Sequence, residues 1–591
     1  MNSHRPISRS IFSIFLFAVL SLGANAFAQA PAFSQVVVFG DSLSDDGNVR
    51  HLLEDQYGIS YPGGGYNYSD GRFTNSADTD PNSELYAGTW HEQLERDFLH
   101  LSAGAIINSL DGGTDYAFGG ATTGDGTSAR TVISNPDPFV GGELTVDVDN
   151  VGKQVGDYIA ANTPDANALY IVWGGGNDFF DDNSLDNVPV VAANVAGLVQ
   201  QLAEAGARSI LVPNVPPLGL VPHYKDDPET AAALNAAAAS YRDQLNTSLD
   251  ATVATLAGEG ITITLYRFDV YGLFYRLAAN PEDYDFTNVT DSDQGGDTSP
   301  DQYLFWDDIH PTTAGHFQIA SGAFDLLSGT TQPPARALNF SSRLDVGVGE
   351  NVLIDGLIVS GPGPKTILFR GLGPSLAVDG TPLANTLADP KLQLFQGETL
   401  LRTNDNWKGT QEAAINDTGL PPDNDLESAM VVTLDPGTYT IILSGTNNST
   451  GNGLVEAYDL DTAPVSTLTN TSTRGFVQTD DNVLIGGFIV GDGGSDTFVV
   501  RAIGPSLADA SITNPLADPT LDLYDANGVL IKSNDNWRDA QESLIQSTGL
   551  APTNDAEAAI VRSLAPGNYT AVVRGKDGGT GVALVEVYNL K

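Results

Sequence analysis

Asn404-Asp405-Asn406-Trp407 recurs as Asn534-Asp535-Asn536-Trp537, 130 residues later. The same offset carries Leu434-Asp435-Pro436-Gly437-Thr438-Tyr439-Thr440 onto Leu564-Ala565-Pro566-Gly567-Asn568-Tyr569-Thr570, and Leu454-Val455-Glu456-Ala457-Tyr458 onto Leu584-Val585-Glu586-Val587-Tyr588. A repeat of this length restricts the C-terminal half to two copies of one domain, at 338–464 and 468–591. Short alternating runs between Gly, Asn, Asp and Pro turns predict a β-sandwich-like fold for each copy.

Residues 31–328 have another texture. Gln35–Gly40, Ala168–Gly174, Ser209–Val215 and Ile261–Phe268 are short apolar runs rich in β-branched residues. Val188–Ala205, Pro228–Leu256 and Thr313–Leu327 read as helices. Apolar strands separated by helices predict a parallel sheet covered on both faces. The Pro-rich stretch 329–337 reads as a linker. At the start of the chain, Arg5 and Arg9, the apolar run Ile11–Leu22 and Ala28-Gln29-Ala30 make a signal peptide over 1–30. That predicts a secreted or cell-surface protein, with the periplasm as the alternative. No cysteine is present, so neither disulfides nor a lipid-modified cysteine are available, and the net charge of −47 repels nucleic-acid phosphates.

Phe39-Gly40-Asp41-Ser42-Leu43-Ser44-Asp45-Asp46-Gly47-Asn48 directly follows the first strand. A serine there lies at the carboxyl end of a parallel strand, where open α/β sheets take their ligands. An Asp/Ser-rich helix cap would look the same. Four further blocks follow in order: Gly71–Asn75 (GRFTN), Asp115–Ala121 (DYAFGGA), Gly175-Gly176-Asn177-Asp178, and Asp307–Thr312 (DDIHPT). Together they resemble the GDSL (SGNH) lipases and esterases, in the phospholipase/lecithinase/hemolysin-like branch with FGDSLxDxGN. The resemblance covers about 31–328. It implies an α/β SGNH-hydrolase domain, flavodoxin-like and three-layered, that hydrolyses carboxylic esters through an acyl-serine. It further implies Ser42 as nucleophile, His310 as general base and Asp307 as the acid that orients it. The oxyanion hole would comprise the N–H of Ser42, the N–H of Gly120 and the side-chain amide of Asn177. Gly119 stays open as the alternative to Gly120, and Asp308 as the alternative to Asp307. Asp115 departs from the family, which often has Asn there.

The stretch Thr122–Asn150 matches nothing in the family and reads equally as a cover for the cleft or as plain surface loop. His223 and His316 have no motif context and read as structural, His91 reads as part of a helix after Trp90, and no catalytic metal or cofactor is expected. Gly373-Pro374-Ser375-Leu376 and Gly504-Pro505-Ser506-Leu507 imitate the nucleophile turn. The two copies contain no histidine, so these read as structural turns. Trp407 and Trp537 either plug the sandwiches or stack on sugars, and the Asn-Asp-Asn turns offer oxygen ligands for a structural Ca²⁺. The expected substrate is an ester of lipid, small-molecule or acetylated-glycan type, and the C-terminal domains are candidates for binding a polysaccharide or cell surface. The rival readings are a polysaccharide O-acetyl esterase and a surface adhesion protein with an incidental hydrolase domain. Acyl chain length and oligomeric state are not legible.

Overall fold

The computed structural model describes residues 32–590 apart from 64–66, 76–86, 102–106, 135–142, 297–298, 330–336, 379, 462–465, 481 and 492–494. The expected signal peptide and most of the expected linker lie outside the described residues. The described residues divide into two units, one over 32–329 and one over 337–590.

The first unit contains strands β1 (Val36–Phe39), β2 (Thr127–Ser134), β3 (Glu143–Asp149), β4 (Leu169–Val172), β5 (Ser209–Pro213), β6 (Thr264–Phe268), β7 (Asn288–Ser292) and β8 (Tyr303–Phe305). Its α-helices are α1 (Asn48–Tyr57), α2 (Trp90–Gln93), α3 (Val151–Ala161), α4 (Gly176–Asp181), α5 (Val188–Ala205), α6 (Pro228–Gly258), α7 (Val270–Ala279) and α8 (Thr313–Leu327). All four apolar runs are strands, and they pair in parallel in the order β1-β4-β5-β6. Every residue of β1 and β4 is buried. Successive side chains on a strand point to opposite faces, and the cores follow that alternation. Val37, Phe39, Tyr170 and Val172 pack with α3, α5 and α6. Val36, Val38, Leu169 and Ile171 pack with Trp90, α7 and α8. The domain is therefore the expected three-layer α/β fold.

Residues 114–118 run along the free edge of β1: Val38 N donates to Thr114 O, Tyr116 N to Val38 O and Phe118 N to Gly40 O. The chain thus leaves β1 on both sides, towards 114–118 and towards β4. At such a reversal of strand order the carboxyl ends open a crevice, where doubly wound folds bind ligands. The unmatched stretch forms the antiparallel hairpin β2–β3. Leu144, Val146 and Val148 anchor it in the core.

In the second unit the two β-sandwich-like copies share their sheets. Copy 1 supplies β9 (Ala337–Val346), β10 (Leu353–Ser360), β11 (Lys365–Leu372), the short hairpin β12 (Ala377–Val378) and β13 (Thr381–Pro382), β14 (Pro390–Gln396), β15 (Thr399–Asn404), β16 (Ser428–Leu434), β17 (Gly437–Gly445) and β18 (Gly451–Asp459). Copy 2 supplies β19 (Thr467–Val477), β20 (Leu484–Val490), β21 (Asp496–Ile503), β22 (Pro519–Tyr524), β23 (Leu530–Asn534), β24 (Ala558–Leu564), β25 (Gly567–Gly575) and β26 (Gly581–Asn589). They build two eight-stranded sheets, β15-β14-β17-β10-β19-β26-β21-β24 and β16-β11-β18-β9-β20-β25-β22-β23. Each sheet takes four strands from each copy. The joints are reciprocal: β10 pairs with β19, and β9 with β20, all antiparallel. One hydrophobic core runs through both copies. A lone copy would leave β9 and β10 as open edges with unpaired backbone groups; the second copy satisfies both.

Trp407 and Trp537 are buried, with indole N–H groups donating to Asn424 O and Asn554 O. The turn amides work internally: Asn404 Oδ1 accepts from Ala429 N and Asn534 Oδ1 from Ala559 N. Thr446 Oγ1 donates to Asp405, whereas its counterpart Lys576 pairs with Asp535. Ser375 and Ser506 each donate to a buried glutamate, Glu427 and Glu557, that also takes two backbone N–H groups from the same turn. These serines brace a turn, as expected.

The joint carries a buried acid. Asp355 on β10 accepts from Thr471 Oγ1 and Thr473 Oγ1, both at 2.8 Å. Burial pushes its pKa up to about 6, and the two hydroxyls work against that rise. Because the folded pKa exceeds the unfolded one, the folded state holds more protons between about pH 4 and 6. The contribution of Asp355 to stability is therefore greatest below that window and is lost as pH rises through it, by about 3 kcal/mol in all. Asp355→Asn should flatten this slope. Unfolding of the wild type and variant across that range tests it; parallel profiles would reject the assignment.

Candidate active site

The turn after β1 is held from several sides. Gly40 exchanges both backbone groups with the Gln154 side-chain amide. Ser44 N and Asp45 N donate to Asp41 O. The buried Asp45 carboxylate accepts from the N–H groups of Gly47, Asn48, Val49 and Gly119. Asn48 Nδ2 donates to Asp115 O and Ala117 O. Asp45 and Asn48 thus fasten the Ser42 turn to the 115–121 loop.

The structure brings Ser42, His310 and Asp307 into one line. Ser42 Oγ lies 2.9 Å from His310 Nε2, and His310 Nδ1 lies 2.8 Å from Asp307 Oδ2. Asp307 Oδ1 accepts from the N–H groups of Ile309 and His310. Burial opposes a charge on Asp307, but His310, these hydrogen bonds and Tyr68 hold its carboxyl below the usual carboxylate range. Asp308, the alternative, instead accepts from Ser292 Oγ. The GRFTN block supports the same loop. Thr74 Oγ1 donates to Pro311 O, Asn75 bonds Thr313, and the Phe73 ring lies 5.1 Å from the His310 ring. Such a line lets a hydroxyl pass its proton to an imidazole whose cation is balanced by a fixed carboxylate.

Gly119 and Gly120 differ in what their N–H groups do. That of Gly119 is spent on Asp45 Oδ2 at 2.8 Å. Those of Gly120 and Ser42 have no hydrogen-bond partner among the described residues. Gly120 has φ 84°, and a Cβ there would lie 2.8 Å from Arg130 Cγ, so the position requires glycine. Asn177, at the start of α4, donates one Nδ2 hydrogen to Ala121 O at 2.9 Å; the amide carries a second. Ser42, Gly120, Asn177 and His310 line one cavity of about 300 Å³. Its wall is mostly apolar, with Tyr61, Phe73, Phe180, Val221 and Phe274 among the lining residues.

Several contributors escaped the sequence reading. Arg130, from the hairpin of the unmatched stretch, lines the cavity, donates Nε to Gly120 O at 2.7 Å and forks onto Asp181. Tyr68 OH donates to Asp307 Oδ2 at 2.7 Å. Neither residue carries a motif.

The histidines outside the five blocks have structural surroundings, and His91 lies in the expected helix after Trp90. His316 Nδ1 accepts from Trp90 N, and burial pushes its pKa down to about 3. His223 donates its backbone N–H to Asp308 O. His91 is buried with Asp46 and Asp115, one potential ligand atom of each lying within 4.8 Å of the others. No chain spacing signals this group, because its members come from three separate segments. Both His91 ring nitrogens already face oxygens, Ser44 O at 2.8 Å and Glu95 Oε1 at 3.2 Å. Burial disfavours its cation, yet Glu95 holds its pKa above the ordinary value. Burial, and then the adjacent Asp46 carboxyl, raises Asp115. Such an acid pair suits a shared proton better than a metal.

The profile of the GDSL-like Lipase/Acylhydrolase family matches residues 36–323. A GDSL esterase/lipase of Arabidopsis thaliana is 28% identical over 333 residues, 49% of this chain and 87% of its own length. Lipase 1 of Photorhabdus luminescens is 31% identical over 35% of this chain, which spans only 26% of that relative. Thermolabile hemolysin of Vibrio parahaemolyticus is 27% identical over 50% of this chain and 64% of its own length. The matched residues hold the parallel sheet, the cavity and the Ser42–His310–Asp307 line, and over them the chain belongs to the GDSL-like lipase/acylhydrolase family of ester-bond hydrolases.

Proposed function

We propose that this chain is a secreted serine carboxylester hydrolase acting through an acyl-serine intermediate. The observation that carries the reading is the hydrogen-bonded line Ser42–His310–Asp307, whose Ser42 and His310 line a mostly apolar cavity. His310 takes the Ser42 proton as Oγ attacks the ester carbonyl, and Asp307 balances the imidazolium. The N–H groups of Ser42 and Gly120 and the Asn177 amide receive the charge that develops on the carbonyl oxygen. His310 then protonates the departing alcohol, and a water activated by His310 releases the acid. The apolar wall favours an acyl chain longer than acetyl, because burying each methylene contributes about 0.8 kcal/mol. A sugar-targeted acetylesterase draws no support from Trp407 and Trp537, which are buried rather than presented for stacking.

A p-nitrophenyl ester series from acetate to palmitate tests this, together with a fluorophosphonate label that reacts with activated serines. Butyrate to octanoate should be cleaved with higher kcat/KM than acetate, and the label should map to Ser42 alone. An unlabelled, inactive protein, or labelling that survives in Ser42→Ala, would reject the serine mechanism. A clear optimum at acetate would reject the acyl preference.

A further inference from the structure

Asp307 Oδ2 has two donors. One is His310 Nδ1 at 2.8 Å; the other is the hydroxyl of Tyr68 at 2.7 Å. The phenol is held in place. It is buried, and its ring meets Tyr61 and Phe73 edge-on at 5.6 and 6.1 Å between centroids. Those two rings also line the cavity, and Phe73 lies against the His310 ring. A single oxygen that accepts two hydrogen bonds gives less of its charge to each.

We propose that Tyr68 is a positioning residue of the active site: its hydroxyl shares Asp307 Oδ2 with His310 and limits how strongly Asp307 retains the imidazolium. The inference rests on the triad reading above. Burial and the Asp307 charge keep the phenol protonated, with its pKa well above the ordinary tyrosine value, so it stays a donor throughout the working range. Without the hydroxyl, Asp307 Oδ2 would face His310 alone, and the imidazolium would be held more tightly. His310 would then be a poorer proton acceptor near neutral pH, because a larger fraction would already carry the proton. Asp41 and His316 also interact with His310 by charge, Tyr61 acts on the phenol, and Gln294 hydrogen-bonds to it. All of them stay in the variant described next, so the comparison isolates the hydroxyl.

Tyr68→Phe keeps the ring and its aromatic contacts. The measurement is the titration of the His310 imidazole by proton NMR in the full chain, with the resonance assigned by its loss in His310→Ala. It needs no substrate. The midpoint in Tyr68→Phe should lie about half to one pH unit above the wild type, since a hydrogen bond to a charged group is among the stronger ones. The acid limb of kcat/KM should move up by the same amount. Loss of packing alone would lower the melting temperature without moving either. Asp307→Asn separates the two levels of the argument. If it lowers the His310 midpoint while Tyr68→Phe leaves it unchanged, the Tyr68 proposal is overturned and the triad stands. If neither variant moves it, the triad reading itself fails.

Discussion

Ser42→Ala should reduce ester hydrolysis by about 10⁴- to 10⁶-fold, and adding His310→Ala to it should cost almost nothing more. The reason is that, in the proposed mechanism, the two groups act as one device. Ser42 Oγ would attack only when His310 Nε2, 2.9 Å away, receives its proton, so either loss removes the same step. The double variant, not either single one, is therefore the informative measurement. Equal losses for both singles and the double identify a nucleophile–base pair. Multiplying losses would mean that the two side chains contribute independently, and the line of hydrogen bonds would then be incidental. Folding must be checked first, although both positions border the cavity and neither belongs to the cores.

Asn177→Ala should lower kcat by about 10²- to 10³-fold with little change in KM. The amide is fixed before substrate arrives, because one Nδ2 hydrogen is tied to Ala121 O. In the proposed mechanism the second would meet full negative charge only after the carbonyl carbon becomes tetrahedral. An interaction stronger in the transition state than in the ground state is lost from kcat. A rise in KM with kcat preserved would instead make Asn177 a substrate-binding group, and the oxyanion hole would reduce to the two backbone donors.

The catalytic unit was largely readable from the chain because its signals are local. Four apolar runs announced the sheet, since burial on both faces removes the polar alternation that would blur them. Asp307 and His310 sit three residues apart, and their order in one loop survived folding. Gly119 and Gly120 could not be told apart until the partner of each N–H was known. Tyr68 was illegible because it reaches Asp307 across 239 residues. Arg130 lay in a stretch that matched nothing. In the repeats, the strands and turns were legible but their pairing was not. An edge strand has the same alternation whether its neighbour belongs to its own copy or to the other one, so sequence could not reveal that the two copies close each other's edges.

That reciprocal closure has a consequence for how the second unit can vary. Strand one of each copy pairs with strand two of the other, as in a symmetric homodimer. Tethering makes the association independent of dilution. It also removes the demand that every change be tolerated twice, because neither copy has to remain its own partner. The equivalent positions already show such divergence: Asp355 is matched by Gly486, and Thr446 by Lys576. A mutation in a true homodimer strikes both sides of the axis at once; here one half can hold the architecture while the other explores.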